Sequence, residues 1–123
     1  MTSRKIEIAR AYSLPASNDH YRVLVDRLWP RGVKKETLEL DQWAKDLAPS
    51  TELRKWFHQD PTRWEELVER YRSELQGNLA AAKDLLAAAD GRNLLLIYAA
   101  KDETHNNAIV LRDFLGEVDQ PGC

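Results

Sequence analysis

Over residues 5–12, Ile6, Ile8 and Tyr12 alternate with Lys5, Glu7 and Arg10, the period-two pattern of a strand buried on one face. Pro15, Ser17, Asn18 and Asp19 then form a turn-rich break too short to hold a crossover helix. A second strand follows in RVLVDRLWPRG at 22–32, where Val23, Leu24, Val25 and Leu28 supply the apolar surface. It runs straight into a charged, aromatic, proline-broken turn. The first two strands either pair directly as antiparallel neighbours or lie parallel with another strand between them, and the pattern leaves both open.

After Gly32 the segment 34–47 is helical in composition, with Leu40, Trp43 and Leu47 at helical spacing. Pro49 interrupts it. Ser50 or Thr51 caps a short helix carrying Leu53, Trp56 and Phe57 on one face and ending near His58. Asp60 and Pro61 form a helix start, because Asp caps free N–H groups while Pro has none to leave unpaired. Trp64, Leu67, Val68, Tyr71 and Leu75 then recur at i, i+3, i+4, i+7 and i+11, and Gly77 ends that helix. Asn78 opens a further helix containing Leu79, Ala82, Leu85, Leu86 and Ala89, closed by Gly91 in a left-handed conformation. Leu94 to Tyr98 are five apolar residues without alternation, as expected for a central strand covered on both faces. A last helix runs from about Thr104 or Asn106 to Leu115, with Gly116 and Pro121 in the tail.

Strands separated by helices predict an α/β fold: a small layered domain with a short, mostly parallel or mixed sheet of three or four strands covered by helices. The 123 residues suit one domain spanning 1–123. With 43% hydrophobic and 31% charged residues the composition is globular. The net charge of −2 hides an asymmetry, since residues 1–60 carry 11 basic and 9 acidic side chains and residues 61–123 carry 7 and 11. Arg22, Arg27, Arg31, Lys34 and Lys35 form a basic cluster opposed locally by Asp26 alone. It suits phosphate or another anion, while the acidic remainder argues against broad duplex binding to nucleic acid. The single cysteine, Cys123, excludes an internal disulfide and a cysteine zinc site. No signal peptide or membrane-length apolar run is present, so a cytoplasmic setting is expected. Oligomeric state is not legible.

In open α/β sheets ligands bind outside the carboxyl ends of the strands. If the strands at 22–28 and 94–99 are parallel neighbours, their exits bring Asp26, Arg27, Trp29 and Arg31 close to Lys101, Asp102, His105, Asn106 and Asn107. The arginines are planar donors for phosphate or carboxylate, or else they brace the turn by pairing with Asp26 and helix carboxylates. Trp29 either stacks on a ligand or plugs the core. Lys101 and the start of the final helix favour an anion, although Asp102 and Thr104 also suit capping. Asn106 and Asn107 are poor helix-interior residues, so one of them has a hydrogen-bonding task. His105 is the titratable group for proton transfer, assisted by Asp26 or Asp102. His58 and Asp60, with His105 and Asp26, offer the donors of a His/carboxylate metal site, but their spacing is not a recognised metal motif and no metal is assigned. No cofactor is expected, because a glycine-rich phosphate loop, nucleophile elbow and helical zinc motif are all absent.

The four stretches RVLVDRLWPRG, LAPSTELRKWF, HQDPTRWEELVERYRSEL and YAAKDETHNNAIVLRDFL resemble, in order, the short single-domain branch of the family called domain of unknown function 488. The resemblance spans nearly the whole chain and implies a compact α/β fold in a bacterial-type cytoplasmic protein. It assigns no activity. In the wider family the last strand is often followed by Cys and then a Cys-His-Arg segment, whereas here Tyr98 is followed by Asn106, Asn107 and Ala108, so no thiol chemistry carries over. Two functions are compatible with these residues. One is a pocket for a small anionic ligand, bound by Arg27, Arg31 and Lys101, with Asp26 or His105 available as a proton carrier. The other is a noncatalytic protein- or nucleic-acid-interaction module using the basic turn at 27–35.

Overall fold

The computed structural model describes residues 4–14 and 19–119. The break at Pro15 to Asn18 and the tail positions Pro121 and Cys123 fall outside them. Four strands, β1 (Ile6–Arg10), β2 (Tyr21–Leu24), β3 (Gln42–Trp43) and β4 (Leu94–Tyr98), form one sheet in the order β1-β4-β2-β3. Every pairing is parallel, which settles the alternatives left by the short first connection. β4 lies between β1 and β2, aligning Ile6 and Tyr21 with Leu94. All five β4 side chains are buried, as the unbroken apolar run requires.

The two faces of the sheet are closed in different ways. Val23, Leu94, Leu96 and Tyr98 meet the helices α2 (Thr51–Gln59), α3 (Trp64–Gly77), α4 (Leu79–Ala89) and α5 (Asn107–Val118) in one core. Leu53, Tyr71, Leu85 and Phe114 are among the helix residues filling it. On the opposite face Leu24, Leu95 and Ile97 are covered by Leu38, Trp29, Val33, Leu40 and Trp43, from a mostly irregular segment. That segment corrects the expectation of a helix over 34–47. Only the single turn α1 (Lys35–Leu38) is helical, and Glu39 ends it with φ +47°. The chain then pairs with β2 as β3 and makes a 3-10 turn at Lys45–Leu47. Trp43 caps a sheet edge, so its spacing from Leu40 and Leu47 imitates a helix by coincidence.

The remaining boundaries follow local chemistry. Ser50 caps α2 by accepting the Leu53 N–H at 3.1 Å, and Glu74 accepts from both the backbone N–H and the hydroxyl of Ser50. Asp60 does not cap α3. Its carboxylate closes a turn on Thr62, and the helix starts at Trp64, three residues past Pro61. Asn78 separates α3 from α4 without a side-chain cap, and both Asp90 and Gly91 are left-handed where α4 ends. Among the described residues, no helix is long and apolar enough to cross a membrane.

Candidate functional site

Parallel pairing places the exits of β2 and β4 side by side, and the side chain that joins them is Asp26. Beyond the end of β2, Val25 still donates its N–H to the Ile97 carbonyl at 3.0 Å. Asp26 then reaches across: Oδ2 accepts the Ala99 N–H at 2.9 Å and Oδ1 accepts from Asn107 Nδ2 at 3.0 Å. The same Asn107 nitrogen donates to the Val25 carbonyl at 3.0 Å, and the Trp43 indole N–H donates to the Asp26 carbonyl at 2.7 Å. One carboxylate thus ties β2, β4 and the first turn of α5 together. Burial pushes its pKa up, opposed by the bonds from Ala99 and Asn107 and then by the nearby Arg54 guanidinium.

Asn106 and Asn107 divide the roles open to them. Asn106 is the buried N-cap of α5: its Oδ1 accepts the Ile109 N–H at 3.1 Å, while Nδ2 donates to the Asp102 carbonyl at 2.9 Å. Asn107 holds the strand exits. Replacing Asn106 with alanine removes both bonds and is expected to lower unfolding stability by roughly 1–2 kcal/mol, with Asn106→Asp recovering part of the loss through the cap. Urea denaturation followed by far-UV circular dichroism measures this, and an unchanged midpoint for the alanine variant rules it out.

A cavity of about 500 Å³ opens over these exits. Asp26, Ala99 and Asn107 lie on one side of it, the turn from Arg27 to Arg31 forms a wall, and α2 contributes Arg54, Phe57 and His58. The last three recur at i, i+3 and i+4, so they share one helix face. That spacing is the sequence signal for Arg54, which is masked because the neighbouring apolar residues dominate the pattern. Exposed Tyr12 and His105 also line the cavity.

Of the residues named from sequence, Asp26, Arg27, Trp29, Arg31, His105, Asn106 and Asn107 converge on this cavity. Lys101 and Asp102 do not line it and are exposed on the adjoining turn. Asp102 builds that turn by accepting from the N–H and hydroxyl of Thr104 and the N–H of His105, and these bonds hold its pKa below the usual carboxylate value. His105 is exposed, its ring 4.8 Å from the Trp64 ring and its Nδ1 3.7 Å from the Asp102 carboxylate. Its neighbours are therefore Trp64 and Asp102, while Asp26 is bonded to Ala99 and Asn107. Trp29 is half-buried: it lines the cavity and packs in the core on the irregular face. Its indole N–H donates to the Val33 carbonyl at 2.7 Å, and it meets Trp43 in a T-shaped contact at 5.3 Å. Among the described residues, no three His, Cys, Asp or Glu side chains gather as a metal site.

Most arginines outside the cavity are ion-paired, the exceptions among the described residues being Arg10 and Arg22, whose Nε groups donate to the Ala100 and Leu38 carbonyls. Arg4, Arg63, Arg70, Arg72, Arg92 and Arg112 each have a carboxylate within 4.0 Å. Among the described residues, Arg27, Arg31 and Arg54 form no such pair. The side chain of Arg27 donates to the Pro49 carbonyl at 3.3 Å, and Arg31 is exposed, its backbone carbonyl accepting the Tyr12 hydroxyl. Among the described residues, the alternative in which Arg27 and Arg31 pair with Asp26 and helix carboxylates is not formed.

These features define a small parallel-sheet α/β protein with an arginine-lined cavity at its strand exits. The chain belongs to the DUF488 family: the model of its inactive DUF488-N3 subclade matches residues 5–120. It is 46% identical over 110 residues to the uncharacterised protein YeaO of Escherichia coli, covering 89% of this chain and 96% of that one. It is 38% identical over 112 residues to the uncharacterised protein Rv3073c of Mycobacterium tuberculosis, covering 90% and 93%. No solved structure matches significantly.

Proposed function

We propose that this protein binds a small anion, a phosphate or carboxylate compound, in the strand-exit cavity and does not transform it. The observation that carries the reading is the set of three arginines around one cavity, none with a carboxylate partner among the described residues. Each retains guanidinium donors for a ligand, and a charge-assisted bond contributes roughly 1.5–3 kcal/mol. Binding without turnover is supported by the engagement of Asp26 in bonds to Ala99 and Asn107, and by the description of the matching subclade as inactive. A cytoplasmic setting, where phosphorylated and carboxylate metabolites are abundant, belongs to this reading.

The test is a thermal-shift titration of the full chain with phosphate, pyrophosphate and di- and tricarboxylates. At a hundredfold excess over Kd, a bound anion raises the melting temperature by roughly 5 °C or more. Arg27→Ala is expected to remove that rise, and Arg31→Ala to reduce it. No rise with any anion, or the same rise in both variants, overturns the proposal. The exposure of Leu28, Arg31, Lys34 and Lys35 favours a second reading, contact of the basic turn with a macromolecule. Salt-sensitive capture of nucleic acid or an acidic protein that survives Arg54→Ala would select it.

A further inference from the structure

Resting on that anion-binding reading, we propose that the ligand is a nucleoside monophosphate: a phosphoryl dianion joined to a planar ring. Two observations on the cavity point beyond a bare anion. The first is its size. At about 500 Å³ it falls within the roughly 300–1,000 Å³ typical of sites for whole metabolites, and an inorganic phosphate fills only a small part of it.

The second is the lining between the charges. Trp29 and Phe57 come from different segments, the 27–31 turn and α2, and both line the cavity. The Val33 carbonyl and the T-shaped contact with Trp43 at 5.3 Å and 70° fix Trp29, while Phe57 meets Trp64 tilted at 59°. Trp29 is half-buried, so the part of its ring that lines the cavity, outside its core packing, is the surface offered for stacking. Leu28, Pro30, Pro49 and Leu67 extend this apolar surface. Asn107 adds a polar group beside it. Its Nδ2 donates to Val25 and Asp26, and no donor among the described residues meets its Oδ1, which is thereby available to a ring amino group.

Charge selects phosphate over carboxylate. Arg27, Arg31 and Arg54 line a cavity in which, among the described residues, the one carboxylate is Asp26, and it already accepts two hydrogen bonds. Three guanidinium groups match the charge and the three terminal oxygens of a phosphate monoester better than the single charge and two oxygens of a carboxylate. The compound best matched to a cluster of guanidinium groups beside aromatic walls is thus a base, a sugar and a terminal phosphate.

Isothermal titration of the full chain with AMP, GMP, CMP and UMP, set against ribose 5-phosphate, inorganic phosphate and adenosine, tests the proposal. At least one nucleotide is expected to bind about tenfold or more tightly than ribose 5-phosphate, the increment a stacked ring supplies, and adenosine to bind far more weakly. Tryptophan fluorescence should fall on nucleotide binding. Trp29→Leu should remove the advantage of the nucleotide over ribose 5-phosphate and leave the latter unchanged. Phe57→Leu provides the same comparison if the first variant does not fold. Equal binding of ribose 5-phosphate and every nucleotide overturns the proposal while leaving the anion-binding reading in place. Absence of binding by all phosphates and carboxylates overturns both.

Discussion

Asp26→Ala is expected to lower the melting temperature by roughly 10 °C, the largest loss from any single polar side chain at the strand exits. The substitution deletes the acceptor of two bonds, leaving the Ala99 N–H and one proton of the Asn107 amide without partners in a half-buried setting. Stranding two donors costs about 3 kcal/mol in total. Asp26→Asn keeps the shape and one acceptor oxygen but sets an NH₂ group against a donor, so its loss should be intermediate. The pH dependence distinguishes electrostatics from shape. Burial raises the carboxyl pKa in the folded protein, so the folded state holds this proton more tightly than the unfolded chain. The associated stability is fully present below the ordinary carboxylate pKa and disappears as pH rises through the raised value. Wild type should therefore exceed Asp26→Asn most at acid pH, with the gap narrowing over that window. Asp60 and Asp102, whose pKa values are lowered, act in the opposite direction but are common to both proteins and cancel. Chemical denaturation of the pair between pH 3 and 7 measures the gap; one that is flat or widens with pH contradicts the assignment.

Arg54→Ala is expected to weaken anion binding by about ten- to a hundredfold, the equivalent of one charge-assisted bond, while changing stability by no more than about 0.5 kcal/mol. The two effects separate because the Arg54 side chain has no hydrogen-bond or ion-pair partner among the described residues and acts on Asp26 through space. It is half-buried on the cavity wall, where the proposed anion would meet it. Arg54→Lys should fall between wild type and alanine, since it keeps the charge and loses the planar fork. Titration of an anion that binds wild type, paired with melting curves, decides the matter. Unchanged affinity in a less stable Arg54→Ala protein would assign the residue to the fold instead.

The sequence made the strand exits legible because their chemistry is local. An apolar run ending in DRLWPRG, and another ending before KDETHNN, announce strands that deliver polar residues to one end of a sheet. It also showed β4 as the centre, since five buried residues without alternation fit few other places. The irregular face was hidden for a physical reason. Leu40, Trp43 and Leu47 have helical spacing, yet the left-handed Glu39 and the pairing of Gln42 and Trp43 with β2 override it. Tertiary pairing, not propensity, shapes that stretch. Arg54 was obscured by Leu53, Trp56 and Phe57, and only the position of α2 over the exits gives its charge a meaning. Lys101 shows the reverse case: adjacency to a site in sequence did not bring it to the cavity.

The placement of β4 also bears on how the molecule comes into being. The strand that separates β1 from β2 is the last of the four to leave the ribosome, and its partner Ile6 is 88 positions from Leu94. Until it emerges, β1 and β2 have no strand between them, and the exits that frame the cavity do not exist. Contacts this distant in sequence form late and slow the search for the native state. Assembly is therefore weighted toward the end of synthesis, and a nascent chain stopped before residue 94 has no complete sheet to protect it from degradation.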